Sequence, residues 1–84
     1  MNNKALVEIV VPATAQKYDV YIPLDVKMSD VVKMVAKALS DLSGGIYKAT
    51  DDAILCDAKT GDIFDINVEV AELKIKNGSQ LMLI

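Results

Sequence analysis

At 84 residues, with 52% apolar side chains and a net charge of −3, the chain has room for one domain and enough apolar surface for a core without staples. It has a single cysteine, no histidine, and nine basic residues that are all lysine and scattered along the sequence. This balance argues against a disulfide-forming compartment, against nucleic-acid binding, which favours clustered arginine, and against catalysis by Cys56, which has no base to activate it.

No apolar run approaches the ~20 residues that a bilayer span needs. Met1-Asn2-Asn3-Lys4 is followed at once by Glu8 and Pro12, with no apolar stretch of signal-peptide length. The expectation is a cytoplasmic protein with no direct membrane insertion.

The first predicted element is a strand, Leu6 to Val11, stopped by Pro12. With Glu8 toward water, the two-residue period places Val7, Ile9 and Val11 inside and Leu6 and Val10 on the Glu8 side. Ala13 to Gln16 reads as a turn and Lys17 to Ile22 as a second strand, with Tyr18, Val20 and Ile22 in and Asp19 and Tyr21 out. So short a connection implies an antiparallel hairpin. A helix follows, with Ser29 as the expected N-cap and Asp30 placing negative charge in the first turn. Val32, Val35 and Leu39 form its apolar stripe, flanked by Val31, Ala38 and Leu42, with Lys33, Lys37 and Asp41 opposite. Ser43-Gly44-Gly45 ends it.

After a loop around Lys48 to Asp52, Ala53-Ile54-Leu55-Cys56 is the third predicted strand and Lys59 to Asp62 a turn. Phe64, Ile66, Val68 and Val70 then alternate with Asp65, Asn67 and Glu69, the pattern of a further strand. Leu73 and Ile75 precede a reversal at Asn77-Gly78, and Leu81 to Ile84 closes the chain as a strand. Strand, strand, helix, strand, strand, strand folds most simply as one sheet layer against one helix, with the first and last strands parallel at its centre. The fold class is therefore α+β: a β-grasp, with a mixed four- to five-stranded sheet on one main helix.

The closing stretch, Val70-Ala71-Glu72-Leu73-Lys74-Ile75-Lys76-Asn77-Gly78-Ser79-Gln80-Leu81-Met82-Leu83-Ile84, resembles the same region of ubiquitin-like domains. More closely, the segments Ile22-Pro23-Leu24, Met28 to Val32 and Leu39 to Leu42, with the turn Ile75 to Leu81, are similar to the bacterial ubiquitin-like proteins YukD and EsaB. The resemblance spans nearly the whole chain and fits least well at Lys59 to Asp65. It implies a non-conjugating ubiquitin-like interaction module, an accessory or regulatory component of a type VII (WXG-type) secretion system. Its partners would then be proteins, a membrane-anchored secretion component among them.

Several chemistries can be tested on the residues themselves. Ubiquitin and the sulfur carriers need a flexible tail ending in Gly-Gly. This sequence runs to Leu83-Ile84 inside a predicted strand, and its one Gly-Gly, Gly44-Gly45, stops a helix. The expectation is against conjugation and sulfur transfer. A sulfur carrier or conjugated modifier whose Gly-Gly tail lies beyond Ile84, or a structural β-grasp domain from a larger protein, are the other readings. Asp57 to Asp65 has acids and a glycine, but Lys59, Gly61 and Val68 hold the third, fifth and twelfth positions, where a calcium loop needs oxygen ligands. A turn with solvated Asp side chains accounts for it better, as solvation does for the adjacent pair Asp51-Asp52. No nucleophile elbow or phosphate-binding glycine loop is present. We expect no enzyme activity, no cofactor and no metal.

The positive expectation is a surface. If Val7, Ile9 and Val11 face the helix and Leu81 and Leu83 face in, then Leu6, Val10, Met82 and Ile84 share the outer sheet face. One of Ile54 and Leu55 joins them, Leu55 in our assignment. Such clusters mark binding sites, here for a different protein or for a second copy in a homodimer. Scattered exposed aliphatics are also ordinary.

Overall fold

The computed structural model describes residues 3–84, so Met1 and Asn2, at the head of the polar N-terminal stretch, lie outside the described residues. Its elements are β1 (Lys4–Val11), β2 (Gln16–Pro23), α1 (Met28–Leu42), β3 (Leu55–Asp57) and β4 (Gln80–Leu83), with 3-10 turns at Pro12–Thr14 and Val70–Leu73. The sheet order is β2-β1-β4-β3, with β1 parallel to β4 and the outer pairs antiparallel. The central parallel pair is the one expected from the alternation in the first and last strands.

β1 alternates without a break: Ala5, Val7, Ile9 and Val11 are buried. Ile22 of β2, Leu81 and Leu83 of β4 and Leu55 of β3 join them on the helix-facing side. The hairpin between β1 and β2 closes on the Pro12–Thr14 turn, with Ala15 left-handed at φ 54°. At the far end, Gly78 at φ 89° lets the chain reverse, and the turn is sewn directly onto β1. The Gly78 N–H donates to the Leu6 carbonyl at 2.9 Å, and the Leu6 N–H donates to Asn77 Oδ1 at 2.7 Å.

α1 buries Met28, Val31, Val32, Val35, Ala36 and Leu39 on the sheet. It stops where expected, with Gly44 and Gly45 both at positive φ. Leu42, expected to flank the stripe, is exposed instead, one turn beyond Leu39.

Two expectations are corrected. Ser29 is not the N-cap: the helix begins at Met28, and Lys27 holds the cap position without a side-chain bond. The helix start is satisfied by distant backbone, with the Met28 N–H donating to the Val68 carbonyl at 2.9 Å and the Ser29 N–H to the Ile66 carbonyl at 3.0 Å. The same contacts explain the second correction. The run from Phe64 to Val70 forms no strand, and its alternation holds in burial only in part: Asp65, Asn67 and Glu69 are exposed, Phe64 and Val68 half-buried and Val70 buried, but Ile66, expected inside, is 49% exposed. Its backbone serves the helix terminus and the preceding loop, with the Val70 N–H donating to the Val26 carbonyl at 3.0 Å. The sheet therefore has four strands.

A test follows from this substitution of backbone for side chain. A true Ser N-cap is worth ~1 kcal/mol on replacement by alanine. Ser29→Ala is expected to change the urea-unfolding free energy by no more than ~0.5 kcal/mol. A loss of ~1 kcal/mol or more would restore Ser29 to a capping role.

Candidate protein-interaction surface

The strand registers place the outer-face side chains in rows across the sheet. Val10 pairs with Lys17 on one side and Met82 on the other, Met82 pairs with Cys56, and Cys56 bridges to Ile63 beyond the β3 edge. From β1 outward to the β3 edge this row is apolar: Val10, Met82, Cys56, Ile63. Alongside it lie Ile84 and Ile54, whose backbones exchange hydrogen bonds of 2.9 and 2.8 Å. Ile63, Ile84 and Ile54 are 64%, 54% and 38% exposed, and Val10 and Met82 are half-buried between their neighbours.

On the other side the next row is polar. Asp19, Glu8 and Gln80 stand in register, and Gln80 Nε2 donates to Glu8 Oε1 at 3.0 Å. Beyond it come Tyr21 and Leu6, which line, with Glu8, Asp19, Asn77 and Gln80, an open groove of about 430 Å³.

The expected cluster of Leu6, Val10, Leu55, Met82 and Ile84 is therefore divided. Val10, Met82 and Ile84 are brought together. Leu6 is on the same face but lies past the Glu8–Gln80 row. Leu55 is corrected outright: it pairs with Leu83, is 1% exposed and belongs to the core. Opposite residues in a ladder share a face, so a Leu55 beside Leu83 must point at the helix, and Ile54 takes the outer position. Ile63 was not anticipated. Its signal is the turn at 57–62, which folds the chain back so that the Asp57 N–H donates to the Asp62 carbonyl at 2.9 Å and Ile63 lands beside Cys56. In that turn Asp57 Oδ1 accepts from the Lys59 and Thr60 N–H groups at 2.7 and 3.2 Å.

Cys56 sits in the middle of the apolar row yet is buried, its Sγ 3.6 Å from the Met82 carbonyl oxygen. Burial pushes its thiol pKa up, and the neighbouring Asp57 carboxylate pushes in the same direction. The thiolate is the reactive form, so alkylation of the folded protein at pH 8 is expected to run at least ~10-fold slower than of the urea-unfolded chain. Equal rates would mean that Cys56 is accessible and that the row has a gap at its centre. The sign carries to stability: a thiol pKa raised on folding favours the folded state below the ordinary thiol value, and this contribution is lost as the pH rises through the raised one.

No protein-family model matches the chain, and no curated protein does. Solved structures do. A chain of the MycP5-free ESX-5 inner membrane complex superposes with a TM-score of 0.80 at 12% identity over 99% of this chain, which spans 21% of that one. The EccD5 ubiquitin-like domain from Mycobacterium xenopi gives a TM-score of 0.79 at 17% identity, covering 99% of this chain and 94% of that one. The ubiquitin-like domain of the Mycobacterium tuberculosis type VII secretion protein ECCD1 gives 0.77 at 14% identity, covering 96% and 97%. At such identities the likeness establishes the fold: the chain is a ubiquitin-like β-grasp. Among the described residues no helix is long and apolar enough to cross a membrane.

Proposed function

We propose that this chain is a non-conjugating, non-enzymatic ubiquitin-like docking module of a type VII secretion system, acting in the cytoplasm on a membrane-anchored component. The observation that carries the reading is the contiguous apolar half of the outer face, Val10, Met82, Ile84, Ile54 and Ile63, drawn from four separate stretches of chain. A folded domain this small gains nothing in its own core from aliphatics on the solvent side, whereas a partner that covers them removes apolar surface from water at ~25 cal/mol per Å². Two further observations support the secretion context. The sequence resembles YukD and EsaB, and ubiquitin-like domains of type VII components share the fold.

The mechanism is passive. The rigid sheet presents the apolar rows, the Glu8–Gln80 row bounds them, and affinity comes from a few central side chains. Co-purification of the tagged protein with the detergent-solubilised secretion complex tests the reading. Recovery of a secretion membrane component by the native chain, and its loss with Ile54→Asp, are expected. Recovery of covalent adducts or an activating enzyme instead would make the chain a modifier and overturn the reading.

A further inference from the structure

The two edges of the sheet are treated differently. β3 is three residues long and Ile63 bridges to it at Cys56. β2 is eight residues long, pairs one-to-one with β1 from Val11↔Gln16 to Lys4↔Pro23, and has no proline before Pro23. Among the described residues no recorded hydrogen bond reaches the outward N–H and C=O groups of β2. A long, regular, uncovered edge is a template for another strand unless charges or bulges blunt it.

The charges on β2 select its partner. Lys17 and Asp19 share the outer face, two residues apart and of opposite sign. In an antiparallel pair of identical strands about a two-fold axis, a residue-centred register keeps like faces together. Centring on Asp19 sets two carboxylates opposite each other. Centring on Val20 sets Asp19 against Tyr21 and Lys17 against Pro23. Centring on Tyr18 sets Lys17 against Asp19 twice and stacks the two Tyr18 rings across the axis. Cross-strand pairs of opposite charge and of aromatics are favourable, and like charges opposite each other are not.

Asp19 adds a second reason. On its inner side it stands directly opposite Glu8, a like-charge pair, with only the open edge on its other side. A lysine arriving at that edge offsets the repulsion.

We infer that the free edge of β2 pairs antiparallel with β2 of a second copy, centred on Tyr18, so that Lys17 of each chain faces Asp19 of the other. The dimer is one continuous sheet with both helices on the same side. The apolar half of the outer face, reaching from β1 to the β3 edge, stays open, so the pairing is independent of the docking function.

Analytical ultracentrifugation over a concentration series tests it on the native chain. The mass is expected to rise from 9.1 kDa toward twice that value. Lys17→Asp and Asp19→Lys each turn two attractive pairs repulsive and are expected to weaken association about tenfold. The double variant, Lys17→Asp with Asp19→Lys, regenerates both pairs and should return the dimerisation constant to within about threefold of native. Both positions are exposed, so circular dichroism of the variants should be unchanged. A mass of 9.1 kDa at every concentration to millimolar would overturn the inference. So would a dimer that neither reversal weakens, or one that the double variant fails to restore. Sensitivity to Ile84→Asp in place of the charge reversals would assign the dimer to the sheet face instead.

Discussion

Leu55→Asp is expected to unfold the domain, while Ile54→Asp, one residue away, leaves it folded. Leu55 is 1% exposed and sits in the core with Leu83 beside it. Truncating such a leucine alone costs ~2–5 kcal/mol. A carboxylate placed there adds a desolvation penalty of several kcal/mol, with no buried basic partner among the described residues to offset it. The sum is comparable to the ~5–10 kcal/mol that a domain of this size has in total. Ile54 projects from the other face beside Ile84, 38% exposed. An aspartate there stays in water, and the change should lie within ~1 kcal/mol. Urea unfolding followed by circular dichroism separates the two. A folded Leu55→Asp variant, or an unfolded Ile54→Asp variant, would invert the assignment of faces on β3.

Val10→Asp combined with Met82→Asp is expected to abolish docking while leaving the fold in place. The two residues are in register at the middle of the sheet, half-buried among their neighbours. That is where a covering partner excludes water most completely, and truncation at such central positions commonly costs ≥2 kcal/mol of binding. Two carboxylates in the same contact should lower affinity at least ~100-fold. The loss to the fold is smaller, because both side chains reach the outer surface and Lys17 stands directly opposite position 10. Leu6→Asp serves as the contrast: it lies on the same face but beyond the Glu8–Gln80 row, and binding should change by less than about threefold. A larger loss from Leu6→Asp than from the central pair would move the contact to the Tyr21 end of the sheet.

The sheet was legible wherever alternation and hydrogen bonding report the same thing. In β1 and β4 the apolar residues at every second position are the buried ones, so the parallel centre of the sheet and the outward direction of Val10, Met82 and Ile84 followed directly. Alternation misled at Phe64 to Val70 because it reports which side of an extended chain is covered, and not whether a strand lies beside it. That segment turns at Ile66 and Asn67, leaving Ile66 49% exposed, and its carbonyls at 66 and 68 cap the start of α1. The same long-range contact hid the true helix cap, since no local signal reveals that Ile66 and Val68 will arrive at Met28 and Ser29. Leu55 was misplaced for a different reason. Ala53-Ile54-Leu55-Cys56 is apolar throughout and carries no alternation, so its facing is set only by the register with β4. Ile63 entered the surface through the Asp57–Asp62 turn, whose closure brings together residues that the sequence separates by a polar loop.

Site-specific photo-crosslinking in cells that carry the secretion system tests the docking surface most directly. A photoreactive side chain at Ile84, on the outer face, and another at Lys37, on the solvent side of α1, report two opposite surfaces of the same folded protein. A membrane-anchored secretion component captured from position 84 and absent from position 37 is the expected result. Capture of that component from position 37 and not from position 84 would place the contact on the helix side and contradict the assignment of function to the outer sheet face.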